Sequence, residues 1–319
     1  MKTISELTTF YYNKLHPTIE KLEDERKTIQ KRLISFGLLY GVVVVGTAFL
    51  FFKTPQAIFF IYIAILFIAG MSYLYNYLTK TYVQKFKQEV MAPLIHEIDE
   101  NLNYQPTKHL PEAHFIRSKL FASRPDIISG NDLVSGKIDD VDIAFSDLHA
   151  QRESQDEDAE DDFETIFMGL FLVADFHKNF KGETIILPDS AQKIFGNVIG
   201  HWLQANTTSH YELIKMDNIA FEKEFVVYGS DQIEARYILS HTLMQKLLEY
   251  KQRSKYPLYI SFVGGKIYMA IAYYNDMFEP SVFHSLLEYK IAIQYIQTLH
   301  LALSIVEELQ LNQKLWSKI

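Results

Sequence analysis

Asp175, His177 and Lys178 stand together just after the apolar run Thr165 to Ala174, and of all the polar clusters in the chain theirs suits proton transfer best. Residues two apart on a strand point to one face, so the Asp175 carboxylate could orient the His177 imidazole as a general base. The blander reading is a strand end whose polar residues meet solvent. A second candidate is the acidic stretch 153–162, where Asp156, Asp158 and Asp161 offer the oxygen ligands that calcium and magnesium prefer. It has neither the glycine turn nor the spacing of a calcium-binding loop, and a solvated loop between strands is the blander explanation. His201, His210 and His241 lack metal-ligand spacing, so no metal or cofactor is expected. Gly264-Gly265-Lys266 is only superficially like a phosphate loop, because it reads as a hairpin turn and not as the start of a helix. The chain has no Cys, which excludes thiol catalysis and Cys-ligated zinc.

The elements that would position these residues follow from periodicity. Val134, Gly136 and Ile138 alternate, as do Val141, Ile143 and Phe145, so they form a hairpin turning at Asp139-Asp140. Thr165 to Asp175 is too long and β-rich to be exposed and reads as a central strand. Thr184 to Leu187 is another, stopped by Pro188-Asp189, after which Asp189 or Ser190 caps a short helix through Phe195. Tyr211 to Met216 pairs with Phe221 to Tyr228 around Asp217-Asn218. Asp231 starts a helix with Glu234 at capping-box spacing, and Ile233, Tyr237, Met244, Leu247 and Leu248 line its buried face. A two-residue turn at Gly264-Gly265 sets Phe262 opposite Ile267, Ile260 opposite Met269 and Leu258 opposite Ile271. The expected domain, 106–319, is α+β: a mainly antiparallel sheet covered by helices on one side, with a final helix from about Ser281 to Gln313.

Ahead of it lie two apolar runs, Leu33 to Phe52 and Ala57 to Leu78, separated only by Lys53-Thr54-Pro55-Gln56. Roughly 20 apolar residues cross a bilayer, so 33–78 reads as a transmembrane helical hairpin. Arg26, Lys27, Lys31 and Arg32 precede it and Lys80, Lys85 and Lys87 follow, which places both flanks and both termini in the cytoplasm, in a multi-pass protein. Gly37 and Gly41 have the spacing that lets spans approach closely, within the hairpin ahead of between copies. Residues 1–32 form an amphipathic cytosolic helix with Leu7, Tyr11, Leu15, Ile19 and Leu22 on one stripe. Residues 79–105 form a second, with Val83, Phe86, Val90, Leu94, Ile98 and Leu102, and the two pair as a stalk that Pro93 interrupts. The net charge of −8 argues against nucleic acid.

Five strings, taken in order, carry a resemblance: Asp132 to Ile138, Ile166 to Phe171, Asp175 to Gly182, Glu234 to Leu239 and Ser261 to Tyr268. Together they resemble the bacterial membrane-protein family called domain of unknown function 3137. That resemblance implies a bacterial cytoplasmic-membrane protein with two N-terminal spans and a cytosolic domain, often encoded near LemA-type membrane proteins, and with no established catalytic residues. Two function classes are expected in consequence. The first is a membrane-anchored cytosolic binding or scaffold module meeting a protein partner, LemA-type among the candidates, or a ligand. The alternative is a membrane-associated enzyme using Asp175 and His177.

Overall fold

The computed structural model describes residues 2–51, 58–138, 141–154, 162–175, 181–189, 211–254, 256–273, 278–288, 296, 297, 300 and 303. The chain divides into two compact units, one comprising 5–97 and 278–294, the other 1–4, 98–277 and 295–319.

The first unit is helical. Helix α1 (Ile4–Phe10) continues through a π-helical turn, Tyr11–Leu15, into α2 (His16–Phe51). Helix α3 (Ile58–Phe86) continues through a second, Lys87–Met91, into α4 (Ala92–Ile98). Each π turn ends two residues before a proline, Pro17 or Pro93. A proline ring crowds the carbonyl four residues back, and widening the turn relieves that without ending the helix. Pro93 therefore does not break the helix, which does stop at Ile98, short of the expected 105. Leu7, Tyr11, Leu15, Ile19 and Leu22 are buried, as are Phe86, Val90, Leu94 and Ile98. Tyr82, at 1% exposure, takes the buried place expected for the half-buried Val83.

Helices α2 and α3 pack on one another antiparallel. Lys85 Nζ meets Glu25 at 2.6 Å, and the Tyr40 and Phe67 rings stack at 3.8 Å. The helical stretch Ile4–Thr47 is long and apolar enough to cross a membrane. Its second half exposes Leu38, Leu39, Val42 and Val45 by 65–71%, an apolar surface of the kind that contacts a membrane or another protein. A Cβ added at Gly37 or Gly41 would meet no atom within 4 Å, so these glycines do not serve the expected approach of one helix to the other within this chain.

The second unit is built on a mainly antiparallel sheet, in the order β1-β2-β3-β4-β9-β8-β5-β7-β6 among the described residues. The strands are β1 (Asn103–Gln105), β2 (Ile127–Ile138), β3 (Val141–Glu153), β4 (Phe163–Asp175), β5 (Thr184–Pro188), β6 (Glu212–Ile214), β7 (Phe225–Gly229), β8 (Leu258–Val263) and β9 (Lys266–Ala272). Both expected hairpin registers hold: Ile138 pairs with Val141 and Val134 with Phe145, and Phe262 with Ile267, Ile260 with Met269 and Leu258 with Ile271. Gly264 and Gly265 turn with φ of +60° and +74°, the left-handed pair such a turn requires. The turn residues Asp139-Asp140, and the helix expected from Ser190, lie outside the described residues, as does most of the final helix.

Three expectations change. Asp217-Asn218 is no hairpin turn: Asn218 caps a short helix, α6 (Ile219–Glu222), accepting from the amides of Ala220 and Phe221, and β6 and β7 pair across that insertion. The helix from Asp231 is two helices, α7 (Gln232–Ile238) and α8 (His241–Arg253), because Ser240 starts a new cap by accepting from Leu243 N–H. Ile233 at 83% and Tyr237 at 41% exposure therefore lie outside the core, while Met244, Leu247 and Leu248 are buried as expected. Finally, the sheet is buried on both faces. Leu170, Leu172, Ile260 and Phe262 are buried on one. Phe167, Phe171, Tyr259 and Tyr268 lie on the other, under Leu110, Phe115 and Leu120 from the segment carrying the short helix α5 (Glu112–Arg117).

Candidate functional site

Asp175 ends β4, as expected, and sheet register sets it directly opposite Lys266, the first residue of β9. The Lys266 Nζ to Asp175 carboxylate distance is 3.9 Å, too long for a hydrogen bond, and both side chains are about one-third exposed. Beside them a cleft of about 530 Å³ opens over the ends of β2, β3, β4 and β9, lined by Lys137, Asp142, His114 and Ser135 as well. Lys137 and Asp142 form a second loose pair at 3.8 Å. The cleft thus holds two cations, two carboxylates and an imidazole, with each opposed pair beyond hydrogen-bond range.

His114 reaches the cleft because α5 is pinned to the sheet. Ser261 Oγ donates to the Ser118 carbonyl at 2.5 Å, Leu110 N–H donates to Ser146 Oγ at 3.0 Å, and Phe115 is buried among Phe121, Phe167 and Phe171. Gly136 completes the wall: a Cβ there would collide with the Asn101 carbonyl, so only glycine admits that backbone against β2. His114 Nδ1 is buried with no hydrogen-bond partner among the described residues. Burial first, then the charges of Lys266 and Arg117, hold its pKa below the ordinary 6.5, and the ring is neutral at pH 7. A base depressed in the folded state contributes stability that is present above pH 6.5 and lost as pH falls through its folded value. An NMR titration should place the His114 midpoint below 6.5, and Lys266→Gln should move it upward without restoring it fully, since burial remains.

His177 and Lys178 lie outside the described residues, as do Asp156, Asp158, Asp161, His201 and His210. Asp231 caps α7 through the amides of Ile233 and Glu234. The expected reciprocal bond is replaced: the Glu234 carboxylate accepts from Gly182 N–H at 3.1 Å and ties two of the strings quoted above to each other. Another, Asp132 to Ile138, opens on a bulge in which buried Asp132 has φ +60° and accepts from the Tyr104 phenol. The residues that periodicity missed are His114, Lys137, Asp142 and the pairing role of Lys266. His114 sits in an aperiodic segment. Lys266 meets Asp175 only once β4 and β9 are known to be neighbours, and the chain order conceals that.

Residues 165–311 match the family model described as protein of unknown function, DUF3137. That stretch belongs to the DUF3137 family. The match takes in most of β4, with Asp175, and β9, with Lys266, and it begins after the helices of residues 4–98 and the β2–β3 hairpin. No curated protein matches the chain. A crystal structure of the mycobacterial trehalose monomycolate transport factor A, TtfA, aligns with 63% of this chain and 88% of that one, at 8% identity and a TM-score of 0.34.

Proposed function

We propose that the protein is a membrane-anchored binding module. Two spans, 33–52 and 57–78, hold both flanks in the cytoplasm of a bacterial cell, and the sheet domain receives a protein partner or ligand at the cleft beside Lys266 and Asp175. The observation that carries this reading is the cleft itself. Sheet register sets Lys137 opposite Asp142 and Asp175 opposite Lys266 along its wall, so a guest with polar or charged groups meets cations and carboxylates already in position. A LemA-type membrane protein is one candidate partner, on the family resemblance alone. The enzyme alternative draws on the presence of Asp175 at the same cleft, with His177 two residues beyond it.

Crosslinking the full chain in its native membrane tests the binding reading. Lys266→Gln and Asp175→Asn should each lower capture of the bound partner or ligand by about tenfold, the loss of one charge-assisted hydrogen bond, without lowering the abundance of the chain. Equal capture by wild type and both variants would refute the cleft as the site. Abolition of a cellular phenotype by Asp175→Asn or His177→Gln with capture unchanged would favour the enzyme.

A further inference from the structure

A second cavity, of about 390 Å³, lies between α2 and α3 in the helical unit. Asp24, Thr28 and Arg32 recur at four-residue steps and so form one stripe along α2. Thr81 faces them from α3, and Ile29 and Leu78 supply apolar surface. Glu25 also borders the cavity, but its carboxylate is engaged by Lys85 at 2.6 Å. Asp24 and Arg32 form no ion pair with any described residue. Arg32 immediately precedes the apolar run that starts at Leu33.

We infer that this groove holds the headgroup of a phospholipid bearing a primary ammonium, phosphatidylethanolamine, with its phosphate on Arg32 and its ammonium toward Asp24. The inference rests on the membrane reading above. If the hydrocarbon begins at Leu33, Arg32 stands at the depth of the lipid phosphates, and Asp24 lies eight residues farther out, about 12 Å along the axis. Side chains on a helix lean toward its N-terminus, so the Arg32 guanidinium reaches back toward Thr28 and shortens that gap. A phosphatidylethanolamine headgroup presents its charges in the same order, phosphate inward and ammonium outward. Thr28 lies between them on the stripe and Thr81 borders the same cavity, and the Thr28 hydroxyl, which donates to the Asp24 carbonyl at 2.9 Å, still accepts through its lone pairs. Arg32 alone would suit an anionic lipid equally, and it is the carboxylate of Asp24 that selects an ammonium. A choline headgroup has no N–H to give that carboxylate.

The test uses the full chain reconstituted in phosphatidylcholine vesicles containing a minor fraction of either phosphatidylethanolamine or phosphatidylglycerol. After flotation and gentle extraction, the lipid retained by the protein is measured by mass spectrometry. Phosphatidylethanolamine should be enriched about fivefold over its share of the bilayer, the ratio that one net hydrogen bond from its ammonium to the Asp24 carboxylate gives. Arg32→Gln and Asp24→Asn, both exposed positions, should each return the ratio to one while leaving the thermal unfolding of the chain unchanged. Enrichment of phosphatidylglycerol, or no enrichment of either lipid in a chain that floats with the vesicles, overturns the groove assignment and leaves the membrane reading standing. A chain that floats with no vesicle overturns both.

Discussion

Replacing Arg26 by Met should lower the unfolding free energy of the full chain in detergent micelles by about 3–5 kcal/mol, the cost of leaving a buried charge without its partner. Arg26 and Glu23 are 5% and 2% exposed. Arg26 Nε and Nη2 donate to the two Glu23 oxygens at 2.8 Å each, and Nη1 donates to the Val282 carbonyl at 2.5 Å and to Gln30 at 3.2 Å. Glu23 in turn accepts from Leu286 N–H at 3.0 Å. One ion pair therefore fastens the segment 278–288 to α2, and Lys87 with Glu279, at 3.3 Å, adds a second tie. Removing the guanidinium strands the carboxylate. Lys27, 3.8 Å away but half exposed, compensates only in part. The double variant Glu23→Gln, Arg26→Met should recover most of the loss, because no uncompensated charge is then buried, and a double-mutant cycle reads the coupling directly.

The same pair sets a pH dependence. Burial by itself would raise the Glu23 carboxyl, but hydrogen bonds from Arg26, Leu286 N–H and Ser285, with the guanidinium charge, outweigh it and place the pKa below the ordinary 4.5. A depressed carboxyl contributes stability that is fully present above pH 4.5 and lost as pH falls through the folded value. Acid unfolding of wild type below pH 4.5 should therefore be steeper than that of the double variant.

Phe171→Ala should cost about 3–5 kcal/mol, because the ring is fully buried and its removal leaves a cavity that its neighbours cannot fill. Those neighbours are Phe115 at 5.7 Å, Phe167 at 6.2 Å and Tyr268 at 6.3 Å between ring centroids, on three separate elements. The informative control is Ile233→Ala. Periodicity puts Ile233 in the core, whereas its 83% exposure predicts a change within about 0.5 kcal/mol. Chemical denaturation of the two variants decides which picture of the domain is right.

Those two residues also mark where sequence reading succeeds and where it stops. Phe171 was legible because a long apolar run with β-branched neighbours and no room for a loop has to be an interior strand. Hairpin registers were legible because glycine or aspartate turns fix the pairing locally, residue by residue. Ile233 misled because its four-residue spacing to Tyr237 looks like a helix stripe, while Ser240 starts a second cap that redirects the chain. The cleft was half legible. Asp175 announced itself as the polar end of an apolar strand. Lys266 and His114 reach it through sheet order and through an aperiodic segment packed on an aromatic cluster, both long-range outcomes that no local pattern encodes.

The proposed topology puts both flanks and the sheet domain on one side of a membrane, and single-cysteine labelling reads it site by site. The chain contains no native Cys, so every label reports its own site. In intact cells a membrane-impermeant maleimide should label Gln56→Cys, in the short connection between the apolar runs. Lys14→Cys and Lys223→Cys should react only after permeabilisation. Labelling of Lys14→Cys or Lys223→Cys in intact cells, or protection of Gln56→Cys until permeabilisation, would overturn that topology.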